Sequence, residues 1–170
     1  METIVMETIV HRVIRFKRMW IVGTLGVALA GMLPAVALAS PGSGVTVNPP
    51  LITANFEDTV HVNSDRVKFQ TKDATDFRIQ SQVFAAGSYS GWHHHPGIII
   101  VAVLEGAVTL TGSDCNSVTY GPSEAAGAVF VEGGDEPIQA SSATGATVYV
   151  TYVVPDGSPF RIEDPVQSCP

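Results

Sequence analysis

The sequence predicts an all-β domain closed into a barrel or jelly roll, on three observations. Beyond residue 44 almost no stretch has helical periodicity. Short runs rich in Val, Ile, Thr, Phe and Tyr recur instead, separated by clusters of Gly, Pro, Asn and Asp. Eight or nine such runs without intervening helices suit a closed antiparallel architecture, which removes exposed sheet edges.

The chain opens on a segment that reads as a leader, residues 1–39. Met1-Glu2-Thr3-Ile4-Val5 is repeated as the next five residues, a short duplication set aside from the fold. His11, Arg12, Arg15, Lys17 and Arg18 form a basic n-region, and residues 19–38 carry no charge. Ala37-Leu38-Ala39 has the small-x-small pattern of a signal-peptidase site, so cleavage is expected near Ala39/Ser40. A run of about 20 residues is also long enough to span a bilayer, which leaves an uncleaved anchor as the alternative. Gly23, Gly26, Gly31 and Pro34 favour removal, and with it a secreted or periplasmic protein with no remaining membrane span.

Residues 40–57 read as a linker and N-terminal arm, opening on the flexible Ser40-Pro41-Gly42-Ser43-Gly44. The barrel is expected over 58–155, with strands at 59–62, 66–70, 76–85, 98–104, 107–111, 117–120, 128–132, 137–141 and 147–154. In Phe77-Arg78-Ile79-Gln80-Ser81-Gln82-Val83 the apolar residues share one face and Arg78, Gln80 and Gln82 the other. Residues 98–104 are continuously apolar, as in a strand covered on both sides, and Glu105-Gly106 reads as a tight hairpin into the next strand. Residues 156–170 read as an irregular tail.

Without the leader about 130 residues remain, enough for one domain with one core. Arg66, Lys68, Lys72, Arg78 and Arg161 are their only basic side chains, against fourteen acidic ones. A surface of that sign repels phosphate backbones and anionic membranes, which excludes nucleic acid as a partner class. Cys115 and Cys169 are the only cysteines and allow one intrachain pairing, two free thiols being the alternative. A bridge between them would tie the tail to a turn.

The chemistry concentrates in Gly87-Ser88-Tyr89-Ser90-Gly91-Trp92-His93-His94-His95-Pro96-Gly97. On a strand His93 and His95 share one face, about 7 Å apart along the backbone, and can converge on one metal ion. His94 then points away as a surface residue. Tyr89 and Trp92 offer aromatic area for a pocket wall or for packing. His61 reads as a strand surface residue.

Gly87, His93, His95 and Gly106 stand at the spacing of the first motif of the cupin superfamily, which this chain resembles over roughly residues 77–154. The resemblance implies a single-domain cupin-type β-barrel, a double-stranded β-helix, holding a divalent transition metal such as Zn, Mn, Fe, Ni or Cu. It also implies association into a homodimer. The chain departs from the pattern where it matters most. The family's glutamate ligand falls on Ile99, and in the second motif the histidine falls on Ile138 and the asparagine on Ser142. Two of the four usual ligands remain, with Glu132 a weak candidate for a third; Gln139 falls on the outward parity.

Three functions follow as expectations: a cupin that binds a metal or small molecule without strong catalysis, a metal-dependent oxygenase or isomerase, or a structural domain with a vestigial site. The missing ligands favour the first and third. No catalytic residue can be assigned from the sequence, and no nucleophile elbow or carboxylate pair stands out.

Overall fold

A computed structural model describes residues 39–169. The expected leader, Ala39 excepted, lies outside the described residues. In chain order the strands are β1 Ser43–Val47, β2 Ile52–Phe56, β3 His61–Asn63, β4 Lys68–Gln70, β5 Thr75–Tyr89, β6 His93–His94, β7 Ile98–Gly106, β8 Val108–Gly112, β9 Ser117–Tyr120, β10 Val129–Gly133, β11 Ile138–Ser142, β12 Ala146–Pro155 and β13 Ile162–Glu163. No helix occurs among the described residues. All nine expected strands are present.

One antiparallel sheet runs β10-β7-β12-β5-β11-β6-β13 and curls into a nearly closed barrel. Fifteen residues long, β5 pairs along most of its length with β12, and its last residues, Ser88 and Tyr89, pair with β11. It therefore carries the chain from one half of the barrel to the other. The core is the inward parity of these strands: Ile99, Val101 and Val103 on β7, Val148, Val150, Tyr152 and Val154 on β12, with Phe84, Val108, Phe130 and Ala140.

Gly106 is a corner and not the expected hairpin. Strand β7 pairs with β10 and β12, whereas β8 pairs with β9 and β11, so the chain changes sheet halves at Gly106. Its φ of 74° suits glycine, and a Cβ there would strike the Gly145 carbonyl oxygen. Ser142, also buried, donates to the Ala107 carbonyl (2.6 Å) and accepts from the Gly145 amide (3.1 Å), which satisfies the corner's polar groups.

Both segments flanking the expected barrel prove to be parts of it. Strands β1 and β2 pair with β5, and Ser40, expected in a flexible linker, is 7% exposed with its amide bonded to the Asp164 carbonyl (3.0 Å). In the expected irregular tail, β13 pairs with β6. The Cys115–Cys169 disulfide forms, with its Cα atoms 5.4 Å apart, and anchors that segment to the turn after β8.

Strand polarity does not by itself decide which face turns inward, and β7 differs from its expected burial on both sides. On β5 the polar parity faces inward: Arg78, Gln80 and Gln82 line the interior with Phe84. The apolar parity meets an outer cluster instead, where Phe77 packs on Phe56 (5.9 Å between ring centroids) and Phe56 on Phe69 (6.3 Å). Strand β7 is covered on one face only, since Ile98, Ile100 and Leu104 are exposed.

Candidate metal centre

His93 and His95 lie on the inward parity as expected, buried, with ring centroids 4.9 Å apart. Their Nδ1 atoms are committed to backbone carbonyls. His93 Nδ1–H donates to Gly91 (3.0 Å) and His95 Nδ1–H to Phe160 (2.6 Å). A carbonyl only accepts, so each ring carries a proton on Nδ1 and leaves Nε2 as the nitrogen free of backbone contacts. A hydrogen bond from the far ring nitrogen to a backbone carbonyl is what orients metal-binding imidazoles. Burial, reinforced by the Arg161 charge, pushes the His93 pKa down to about 3, so its ring is neutral and available as a ligand.

Glu132 completes the group. Its carboxylate approaches His95 Nε2 at 3.5 Å, and the ligand atoms of His93, His95 and Glu132 all lie within 4.8 Å of one another. Strand pairing explains how the carboxylate arrives there. In the β10–β7 register Glu132 stands directly opposite Ile99, the residue at the position of the family's glutamate. Directly opposite residues of an antiparallel pair project to the same face. The acid missing from β7 is thus supplied at the same level from β10, while Ile99 is fully buried as core.

The residues fit a metal ion on their own chemistry. His95 Nε2 and Glu132 Oε2 are buried without any hydrogen-bond partner, and buried polar atoms in that state are uncommon in folded proteins. Two imidazoles and one carboxylate are the donor set of two-histidine, one-carboxylate centres for divalent transition metals, which leave positions open.

The group sits in a cavity of about 410 Å³. Its apolar wall includes Phe84, Val101, Phe130, Val148 and Val150; Arg78, Gln80, Gln82 and Tyr152 form the polar wall. Gln80 and Gln82 both donate to the Tyr152 hydroxyl (3.0 Å each), and burial, with Glu132 nearby, pushes that phenol up to about 12. Phe160, Arg161 and Glu163 close the cavity from the C-terminal segment.

Of the other predicted site residues, neither Tyr89 nor Trp92 lines the cavity. Tyr89 is 40% exposed and Trp92 is packed in the interior at 4%. Gln139 is absent from the lining and His61 is exposed, both in keeping with the sequence reading. His94 points away from the cavity but is not an idle surface residue. Its Nδ1–H donates to Asp164 Oδ2 (2.8 Å) with both side chains largely buried, and this pins β13 to β6. Asp164 and Phe160 were not legible as site residues, because their roles depend on where the tail returns.

No family model matches the chain, and no curated protein matches it. Among solved structures it is similar to salicylate 1,2-dioxygenase from Pseudaminobacter salicylatoxidans, with 17% identity over 44% of this chain and 20% of that one and a TM-score of 0.38. It is also similar to a conserved Streptococcus pyogenes protein of unknown function, with 20% identity, 60% and 78% coverage and a TM-score of 0.41. A structure of DMSP lyases shares 14% identity over 54% of this chain and 44% of that one, with a TM-score of 0.42. The chain thus spans about a fifth of the dioxygenase and less than half of the lyase. By its own strand order and by the placement of Gly87, His93, His95 and Gly106, the barrel is consistent with a cupin.

Proposed function

We propose that this is an exported, metal-binding cupin-type protein in which His93, His95 and Glu132 hold a divalent transition metal beside a small-molecule cavity. The observation that carries this reading is the pair of orphaned buried atoms, His95 Nε2 and Glu132 Oε2, within one 4.8 Å cluster. A bound cation would satisfy both at once. Export is supported by the disulfide, which persists in oxidising compartments, and by the leader pattern of the sequence. No helix among the described residues is long and apolar enough to cross a membrane.

Elemental analysis of the purified protein, with His93→Ala/His95→Ala and Glu132→Gln as controls, tests the site. The expected result is about one metal per chain, lost in the double variant and weakened roughly 100-fold in Glu132→Gln; even supporting residues around a metal typically contribute 10–100-fold. Failure to take up zinc, manganese, iron, nickel or copper would overturn the metal site.

A second reading, a metal-dependent oxygenase or isomerase, gains support from the third ligand, because the centre then resembles catalytic sites with open coordination positions. When bound, the metal would supply Lewis-acid or oxygen-activating chemistry. The chain's own contribution would be to orient the substrate, with Tyr152 and the two glutamines on one wall and the apolar residues excluding water on the other. Oxygen uptake with catechol and flavonol substrates tests for turnover.

A further inference from the structure

The cavity holds a cation that the metal reading does not use. Arg78 is half-buried on the inward face of β5, directly across from Tyr152 of β12. It forms no ion pair among the described residues, and its Nε is buried without a hydrogen-bond partner. Its one clear contact is the face of Phe160, with the guanidinium carbon 3.6 Å from the ring centroid. That cation–π contact holds the guanidinium over the aromatic face without neutralising its charge.

The remaining charges in the cavity are already engaged. Arg161 is held by Glu163 (Nη2 to Oε2, 2.9 Å) and by the Ser90 carbonyl (2.6 Å). Glu132 faces His95 Nε2 at 3.5 Å. Arg78 therefore lacks an ion-pair partner among the described residues, and its half-buried guanidinium keeps donors for an anionic ligand. The isolation is pointed, because the residues after the expected cleavage site hold fourteen acidic side chains that could have supplied a partner.

The neighbouring wall is also arranged to donate. Tyr152 accepts hydrogen bonds from both Gln80 and Gln82, which leaves its own proton for an acceptor. A flat guanidinium fork and a phenol proton on one wall match the two oxygens of a carboxylate. The apolar wall opposite suits a hydrocarbon or aromatic body, and about 410 Å³ limits it to a small molecule.

We infer that the cavity binds a small organic carboxylate, its anionic group on Arg78 and its body along Phe84, Phe130, Val148 and Val150. This rests on the proposal that the cavity is a ligand site, but not on metal occupancy. Arg78 is a binding residue that sets the charge of the ligand.

Isothermal titration with matched pairs, benzoate against benzamide and hexanoate against hexanamide, tests the inference on zinc-treated and metal-free protein. At least one acid should bind roughly tenfold or more tightly than its amide, as a charge-assisted hydrogen bond implies. That preference should persist without metal. It should fall below about threefold in Arg78→Met and survive in part in Arg78→Lys, with circular dichroism confirming that both variants fold. No preference for acid over amide in either form, or a preference undiminished in Arg78→Met, would overturn the assignment. So would a preference present only with zinc, which would make the metal the anion's anchor. Phenyl phosphate binding more tightly than benzoate would replace the carboxylate by a phosphoryl group. Loss of metal binding with the acid preference intact would remove the metal proposal and leave this one standing.

Discussion

Replacing Cys115 and Cys169 by serine is expected to lower the melting temperature by about 15 °C without abolishing the fold. The bridge closes a loop between residues 54 apart in sequence, which restricts the unfolded chain by about 4 kcal/mol in the loop-entropy account. The described domain has about 130 residues, and unfolding entropy near 60 °C is about 2.1 cal/mol/K per residue, or roughly 0.27 kcal/mol/K in all. Dividing the first figure by the second gives the 15 °C. A domain of this size ordinarily has about 5–15 kcal/mol of stability, so most of the double variant should still be folded at 25 °C. Scanning calorimetry of wild type and variant measures the shift directly. A drop below about 5 °C would refute the reasoning, showing that the ends of the loop are already confined in the unfolded chain. The bridge also anchors the segment carrying Phe160, Arg161 and Glu163 over the cavity, so the variant should lose zinc affinity as well.

Other expectations follow from the same geometry. If Glu132 replaces the missing acid at the level of Ile99, then Ile99→Glu/Glu132→Val should bind zinc within about tenfold of wild type, against the roughly 100-fold loss in Glu132→Gln; competition with a chromogenic chelator reads both. Tyr152 keeps its proton to about pH 12 in the folded state, against an ordinary value of 10.0. The folded protein thus binds the proton more tightly, and on the order of 2–3 kcal/mol of stability, full below pH 10, is lost as pH rises to 12; tyrosinate absorbance of wild type minus Tyr152→Phe should show one late titration. Intact mass of the exported protein should correspond to a chain beginning at Ser40, and a mass retaining residues 1–39 would refute cleavage there.

What the sequence could reveal was set by which interactions are local. Strand existence was legible because β-branched runs and Gly or Pro breaks lie next to one another in the chain. The inward pairing of His93 and His95 was legible for the same reason, since strand parity is a property of neighbours. Which face of a strand meets the core is not local. The alternation in β5 was plain, but Phe77 on its apolar face packs on Phe56, which in turn meets Phe69, and the face of Arg78, Gln80 and Gln82 lines the cavity. Strands β1, β2 and β13 were hidden because their partners, β5 and β6, are remote in sequence. The Gly106 corner looked like a hairpin because a glycine at positive φ serves either purpose.

Glu132 shows most clearly how the degenerate motif can still leave a candidate donor set. A linear motif records which strand carries each ligand, whereas a metal ion responds only to where the donor atoms meet. In an antiparallel sheet a side chain on one strand and its direct cross-strand partner occupy neighbouring space on one face, so a ligand can move between strands without leaving the site. Ile99 keeps the volume of the lost glutamate filled with core, and Glu132 arrives at the same level from β10. No comparable transfer serves the second motif: Ile138 faces His93 across the β11–β6 pair and offers no donor. The candidate centre would therefore draw three ligands from the protein, His93, His95 and Glu132.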